Sequence, residues 1–174
     1  HGVPVAMVSV VCNNALNRSV REYNLIEPGK ILDKVREIVI QEFEKSNEDV
    51  KDGMDIALCA LYENILEYSG AYNPLWIVRK DELIEIKADK QPIGKFDNPL
   101  PYVTHRIELQ KGDTIYLFTD GYVDQFGGEY GKKFKANAFR KLIVSIKDKT
   151  MAEQKMQFEE VIEAWRGVHD QVDD

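Results

Sequence analysis

An α+β layered domain is the fold class this sequence predicts, and three observations predict it. Helical periodicity opens the chain, the same periodicity closes it, and six short segments rich in β-branched and aromatic residues lie between. From Pro4 to about Tyr23, the residues Val5, Val8, Val11, Cys12, Ala15 and Leu16 recur at helical spacing, and Pro4 suits a first turn because its missing N–H costs nothing there. A second helix is predicted over Pro28 to Phe43, with Ile31, Leu32, Val35, Ile38 and Val39 on one face; it dissolves into the polar stretch "EKSNEDVKDG". The period then changes. "MDIALCALY", "ILEYSGA", "LWIVRK", "LIEIKA", "YVTHRIEL" and "DTIYLFTD" read as strands of an antiparallel meander, separated by Gly, Asn or Pro. Helices over Ala136 to Ile146 and Met151 to Trp165 follow, the last expected to bury Met156, Phe158, Val161, Ile162 and Trp165.

The chain has 174 residues, 44% of them hydrophobic, which suits one domain with one substantial core. No repeat or linker divides it, so a single domain over 1–174 is expected. It begins mid-motif at "HGVP" and stops at "QVDD", so truncation is expected at the amino-terminal end, with truncation at the carboxy-terminal end a further expectation. Lys and Arg number 23 against 30 Asp and Glu, a formal charge of −7 that argues against nucleic acid or an anionic membrane as partner. Lys132, Lys133 and Lys135 are the densest basic patch and read as a solvated turn. Cys12 and Cys59 sit in apolar runs without CxxC spacing and read as small core residues. Apolar stretches fall well short of the ~20 residues that span a bilayer, so a cytoplasmic location is expected.

The segment "GDTIYLFTDGYVDQFGG" carries the first sign of chemistry. An alternating apolar run ends in Asp120, and Gly121 lets the backbone turn, so the carboxylate is expected to project from a central strand's end. The plain alternative is a turn aspartate that caps the next segment. A second acidic pair, Asp173 and Asp174, lies at the far end of the chain, and converging carboxylates are a ready means of holding Mg²⁺ or Mn²⁺. Asp52 and Asp55 bracket a strand start in "DGMDIALC", where exposure is the default for Asp55. In "HGVP", Gly2 can bring backbone close to an anion or metal, and His1 is a candidate proton donor. His105 and His169 lack ligand spacing and read as structural or solvent-facing.

Taken in order, "HGVPVAMVSVV", "DGMDIALC", "YSGAYNPLW", "KQPIG", "LQKGDTIYLFTDGYVDQFGG", "GKKF" and "QVDD" resemble the SpoIIE/RsbU-type branch of the PPM (PP2C-like) metal-dependent serine/threonine phosphatases, over essentially the whole chain. The resemblance implies an α/β/β/α sandwich of two antiparallel sheets with a dinuclear Mn²⁺ or Mg²⁺ site at one edge. It implies that Asp120 is the central metal-bridging aspartate, that Asp173 is the carboxylate of the final motif with Asp174 its neighbour, and that His1 and Gly2 belong to the "GHG" element. Asp52 lies near the position of an additional metal in some relatives; Gly121 and Asp55 are expected near the site. Two cations ~4 Å apart can bind phosphate oxygens and activate water, so the carboxylates serve as ligands rather than nucleophiles. The implied substrate is a phosphorylated regulatory protein of the anti-sigma-factor-antagonist type in bacterial signalling. The family's first metal aspartate lies before His1, outside this chain. A non-catalytic regulatory or docking module with the same fold is therefore the alternative reading. An upstream sensor region is expected to act through the first two helices. Leu25 and Ile26 are candidates to meet that region or a second copy in a homodimer, while the plainer expectation is that both helices simply cover the sheet.

Overall fold

The computed structural model describes residues 3–45 and 53–171. Its contacts divide the chain into two compact units, 1–75 with 85–111 and 76–84 with 112–174.

In the first unit, α1 (Val3–Arg21) packs on α2 (Pro28–Lys45). Both helices appear where periodicity placed them. α2 buries the predicted face, Ile31, Leu32, Val35, Ile38 and Val39, and Pro28 occupies its first turn. Cys12 and Ala15 of α1 complete that core with Ala71, Ile93 and Tyr102. Leu25 packs against it, whereas Ile26 is exposed. β1 (Ile56–Tyr62) and β2 (Ile65–Ala71) form an antiparallel hairpin registered from Ile56 opposite Ala71 to Tyr62 opposite Ile65. β2 pairs on its other side with β5 (His105–Glu108), whose His105 stacks on Tyr68 with ring centres 5.9 Å apart. The glycine of "DGMD" has a local cause. A Cβ on Gly53 would lie 2.7 Å from the Pro92 side chain, while Met54 and Ile93 exchange backbone hydrogen bonds of 3.0 and 2.9 Å, which clasps "KQPIG" against this segment.

The second sheet has the order β4-β3-β6, from β3 (Leu75–Arg79), β4 (Glu82–Ile86) and β6 (Thr114–Tyr116), with Trp76 opposite Tyr116. The strands therefore form two three-stranded sheets, β1-β2-β5 and β4-β3-β6, rather than one meander. β5 returns to β2 and β6 returns to β3, a long-range choice that local periodicity does not encode. Arg79 holds the start of β6 through Asp113 at 2.7 Å, and the Asp113 side chain is only 4% exposed. After β6 come α3 (Gly121–Asp124), a small hairpin of β7 (Phe126–Gly127) and β8 (Lys132–Lys133), and the helices α4 (Ala136–Ile146) and α5 (Met151–Arg166). Trp76, Val78, Phe139 and Ile143 form this unit's core.

α5 starts where predicted, but its inward stripe is different. Met156 is 58% exposed and Gln154 is buried at 2%. At 100° per residue, the row through Phe158 and Ile162 passes through Gln154 and leaves Met156 on the opposite side. Gln154 satisfies its amide: its Oε1 accepts from the Tyr116 hydroxyl at 2.7 Å, and its Nε2 donates to the Lys149 carbonyl at 3.0 Å.

Candidate metal centre

The segment that presents Asp120 is held by aromatic side chains on both flanks. Phe118 meets Trp76 and Phe139 edge-on at 4.5 and 5.1 Å. Tyr122 lies 4.6 Å from Phe139 and 5.3 Å from Phe134, and its hydroxyl donates to the Phe158 carbonyl at 2.9 Å. Burial pushes the Tyr122 phenol up to about 12, so it remains a neutral donor at ordinary pH. With both anchors drawn into the core, Gly121 is buried while Thr119 and Asp120 stay exposed.

β6 ends at Tyr116, and Leu117 to Thr119 continue outside the ladder, so Asp120 does not sit directly on a strand end as expected. It is the residue before α3, with φ −78° and ψ −11°. Its carbonyl accepts the Asp124 amide at 2.9 Å, but its carboxylate makes no capping bond. This carboxylate has no hydrogen bond or ion pair among the described residues, unlike that of Asp124, which pairs with Lys133 Nζ at 2.6 Å. The plain reading of Asp120 as a side-chain cap therefore fails.

An exposed, unengaged carboxylate on a braced turn is the hard oxygen donor that Mg²⁺ or Mn²⁺ prefers, so Asp120 fits the role of ligand. Of the other residues singled out, Asp55 is exposed immediately before β1 in the first unit. His1, Gly2, Asp52, Asp173 and Asp174 lie outside the described residues. Among the described residues, no group of three His, Cys, Asp or Glu is placed to hold a metal. Beside Thr119 and Gly121 opens a cavity of ≈ 410 Å³ walled by Tyr116, Phe158 and Ile162, too apolar to serve as a cation site itself. Sequence reading missed α3 and the β7-β8 hairpin, although "GGEYGKK" carries the glycine punctuation of a turn.

The family model described as Stage II sporulation protein E (SpoIIE) matches residues 1–174. The chain belongs to the SpoIIE family. No curated protein matches it. Among solved structures, the SiaA-PP2C domain of Pseudomonas aeruginosa is similar at a TM-score of 0.87 and 27% identity, covering 100% of this chain and 68% of that one. The PP2C phosphatase domain of the cell fate determinant SpoIIE from Bacillus subtilis, with a fragment of its regulatory domain, gives a TM-score of 0.67 at 15% identity; 97% of this chain matches 47% of that one. The Mycobacterium tuberculosis serine/threonine phosphatase PstP/Ppp gives 0.54 at 14% identity, over 89% and 76% of the two chains. The latter two likenesses show the fold alone. This SpoIIE-family chain thus has the PP2C fold of helices and antiparallel sheets, the expected class. No helix among the described residues is long and apolar enough to cross a membrane.

Proposed function

We propose that the chain carries the catalytic machinery of a phosphatase that hydrolyses phosphoserine or phosphothreonine on a regulatory protein, of the anti-sigma-factor-antagonist type, in bacterial signalling. The observation that carries this reading is Asp120, an exposed carboxylate without a partner among the described residues, braced by Phe118 and Tyr122 in a SpoIIE-family chain. Asp120 and Asp173 would hold a pair of Mn²⁺ or Mg²⁺ ions, with Gly2 and Asp52 as further contributors and Gly121, Asp55 and Asp174 close by. Bound, such ions supply the charge that neutralises phosphate oxygens and the acidity that activates water. The protein's share is positional. Aromatic anchors before and after the turn keep the Asp120 carboxylate pointed to solvent, so a ligand meets it with little reorganisation.

The test is hydrolysis of a phosphothreonine peptide by the wild-type protein and by Asp120→Asn, with Mn²⁺ present and after chelation. Chelation is expected to stop hydrolysis and Mn²⁺ to restore it. Asp120→Asn is expected to lose activity by ~100-fold or more with an unchanged melting curve, because an amide is a far poorer ligand than a carboxylate. Near-normal activity in the variant removes Asp120 from the centre. A wild-type protein inert with and without metal favours the docking-module reading.

A further inference from the structure

The small hairpin next to Asp120 has a surface that the hydrolytic reaction does not use. Over Phe126–Lys135 it carries three lysines against the single acid Glu129, in a chain of net charge −7. Lys133 is engaged by Asp124 at 2.6 Å. Lys132 and Lys135 are exposed and have no carboxylate partner among the described residues. Two aromatic rings share this surface: Tyr130 is 76% exposed, with Lys132 Nζ 5.6 Å from its ring centre, and Phe126 lies 5.9 Å from Lys133 Nζ.

The hairpin is also rigidly seated. The Gly128 amide donates to the Trp165 carbonyl at 2.7 Å, the Trp165 indole donates to the Gln125 carbonyl at 3.1 Å, and Phe134 packs edge-on against Trp165. Gly127 has no room for a side chain, because a Cβ there would run into the Trp165 carbonyl. The Lys135 amide donates to the Val123 carbonyl at 2.7 Å, which ties the end of the hairpin to α3, the helix that Asp120 opens. A backbone held in place fixes where the two lysine stems emerge, so only their side chains need ordering when an anion arrives.

The geometry points to this hairpin as the docking surface for an acidic segment of the phosphoprotein substrate, flanking the phosphorylated residue. The assignment rests on the phosphatase reading above and names the substrate feature that site would select. Asp120 and Asp124 are ~6 Å apart along α3 at ~1.5 Å per residue, and Lys133 touches Asp124. An extended peptide advances ~3.3 Å per residue. With phosphate at Asp120, the acidic side chains that meet the hairpin lysines therefore lie a few positions away along the peptide. Tyr130 and Phe126 offer the peptide backbone an apolar floor. On an acidic protein, a local positive surface beside the reaction centre also concentrates acidic partners there.

The test compares the wild-type chain with Lys132→Glu/Lys135→Glu on three phosphothreonine peptides whose flanks are acidic, neutral or basic, and on a small aryl phosphate. Wild type is expected to favour the acidic peptide over the neutral one by about tenfold in kcat/KM. The double variant is expected to lose that preference while hydrolysing the aryl phosphate within about twofold of wild type, and high salt is expected to erase the preference in wild type. Fluorescence anisotropy of the acidic peptide, carrying a non-hydrolysable phosphonate, gives a second readout that needs no turnover. Tighter binding to wild type than to the variant is expected. If wild type hydrolyses nothing, the phosphatase reading fails, and anisotropy decides the hairpin by itself: binding lost in the variant keeps it, and equal binding ends it. An acidic preference that survives in the variant, or no preference in wild type, overturns the assignment. So does a DNA oligonucleotide that binds as tightly as the peptide with the same lysine dependence. Should the double variant melt early, Lys132→Gln/Lys135→Gln replaces it, with an intermediate loss expected.

Discussion

Cys59 shows how one side chain can report its surroundings. It lies on β1, half-buried, and desolvation pushes its thiol from the ordinary 9.0 up to about 11. At pH 8 the reactive thiolate is then about a hundredfold scarcer than in the unfolded chain. Labelling by a thiol reagent should be slower by that order in native protein than in denaturant, and a native rate equal to the denatured one would contradict the burial. The same shift has a sign for stability. As pH rises through 9 the unfolded thiol ionises while the folded one keeps its proton to about 11, so the unfolded state binds fewer protons and stability falls across that window. Gly127 makes a second prediction at this scale. A methyl group there meets the Trp165 backbone, which cannot swing aside as a side chain could. Gly127→Ala is expected to destabilise the protein by about 2 kcal/mol or more in urea unfolding. Cys12 was legible as a core residue from its place in an apolar run, whereas Cys59, in a similar run, is only half-buried on β1 and not part of the core. The role of Gly127 was not legible, since its neighbour lies in a helix far along the chain.

At the level of elements, the start of α5 is the most completely specified boundary in the second unit. Thr150 accepts the Glu153 amide at 3.3 Å, and the Glu153 carboxylate accepts the Thr150 amide at 2.8 Å, a reciprocal capping box. Thr150→Ala is expected to cost about 1 kcal/mol, read as a lower melting temperature. Gln154, one turn further on, bonds both Tyr116 of β6 and the Lys149 carbonyl. Gln154→Leu would remove both bonds and leave the half-buried Tyr116 hydroxyl without its acceptor, so a larger loss, roughly 1–3 kcal/mol, is expected from the same measurement. Helix limits were legible from spacing and caps, as with Ala136–Ile146 and Pro28. β6 is shorter than its apolar run predicts, because Leu117 and Phe118 continue that run although the backbone leaves the ladder after Tyr116. α3, at four residues, is too short to show a period at all.

For the whole molecule, the fold class followed from the order of periodic segments, but the pairing of β5 with β2 and β6 with β3 did not, because register and sheet membership are set by contacts distant in sequence. Of the candidate site, Asp120 was singled out from its place in "FTDG"; that its carboxylate is exposed and does not cap α3 needed three dimensions. The terminal pair offers a further check. Asp173→Ala is expected to weaken Mn²⁺ binding more than Asp174→Ala in calorimetric titration, and equal losses would shift the ligand register or share it between them. Both tryptophans of the chain, Trp76 between Phe118 and Phe139 and Trp165 behind the hairpin, belong to the second unit. Indole emission therefore reports directly on the packing around the segment that carries Asp120, so a wavelength shift in a variant of that segment locates the disturbance within its aromatic cluster.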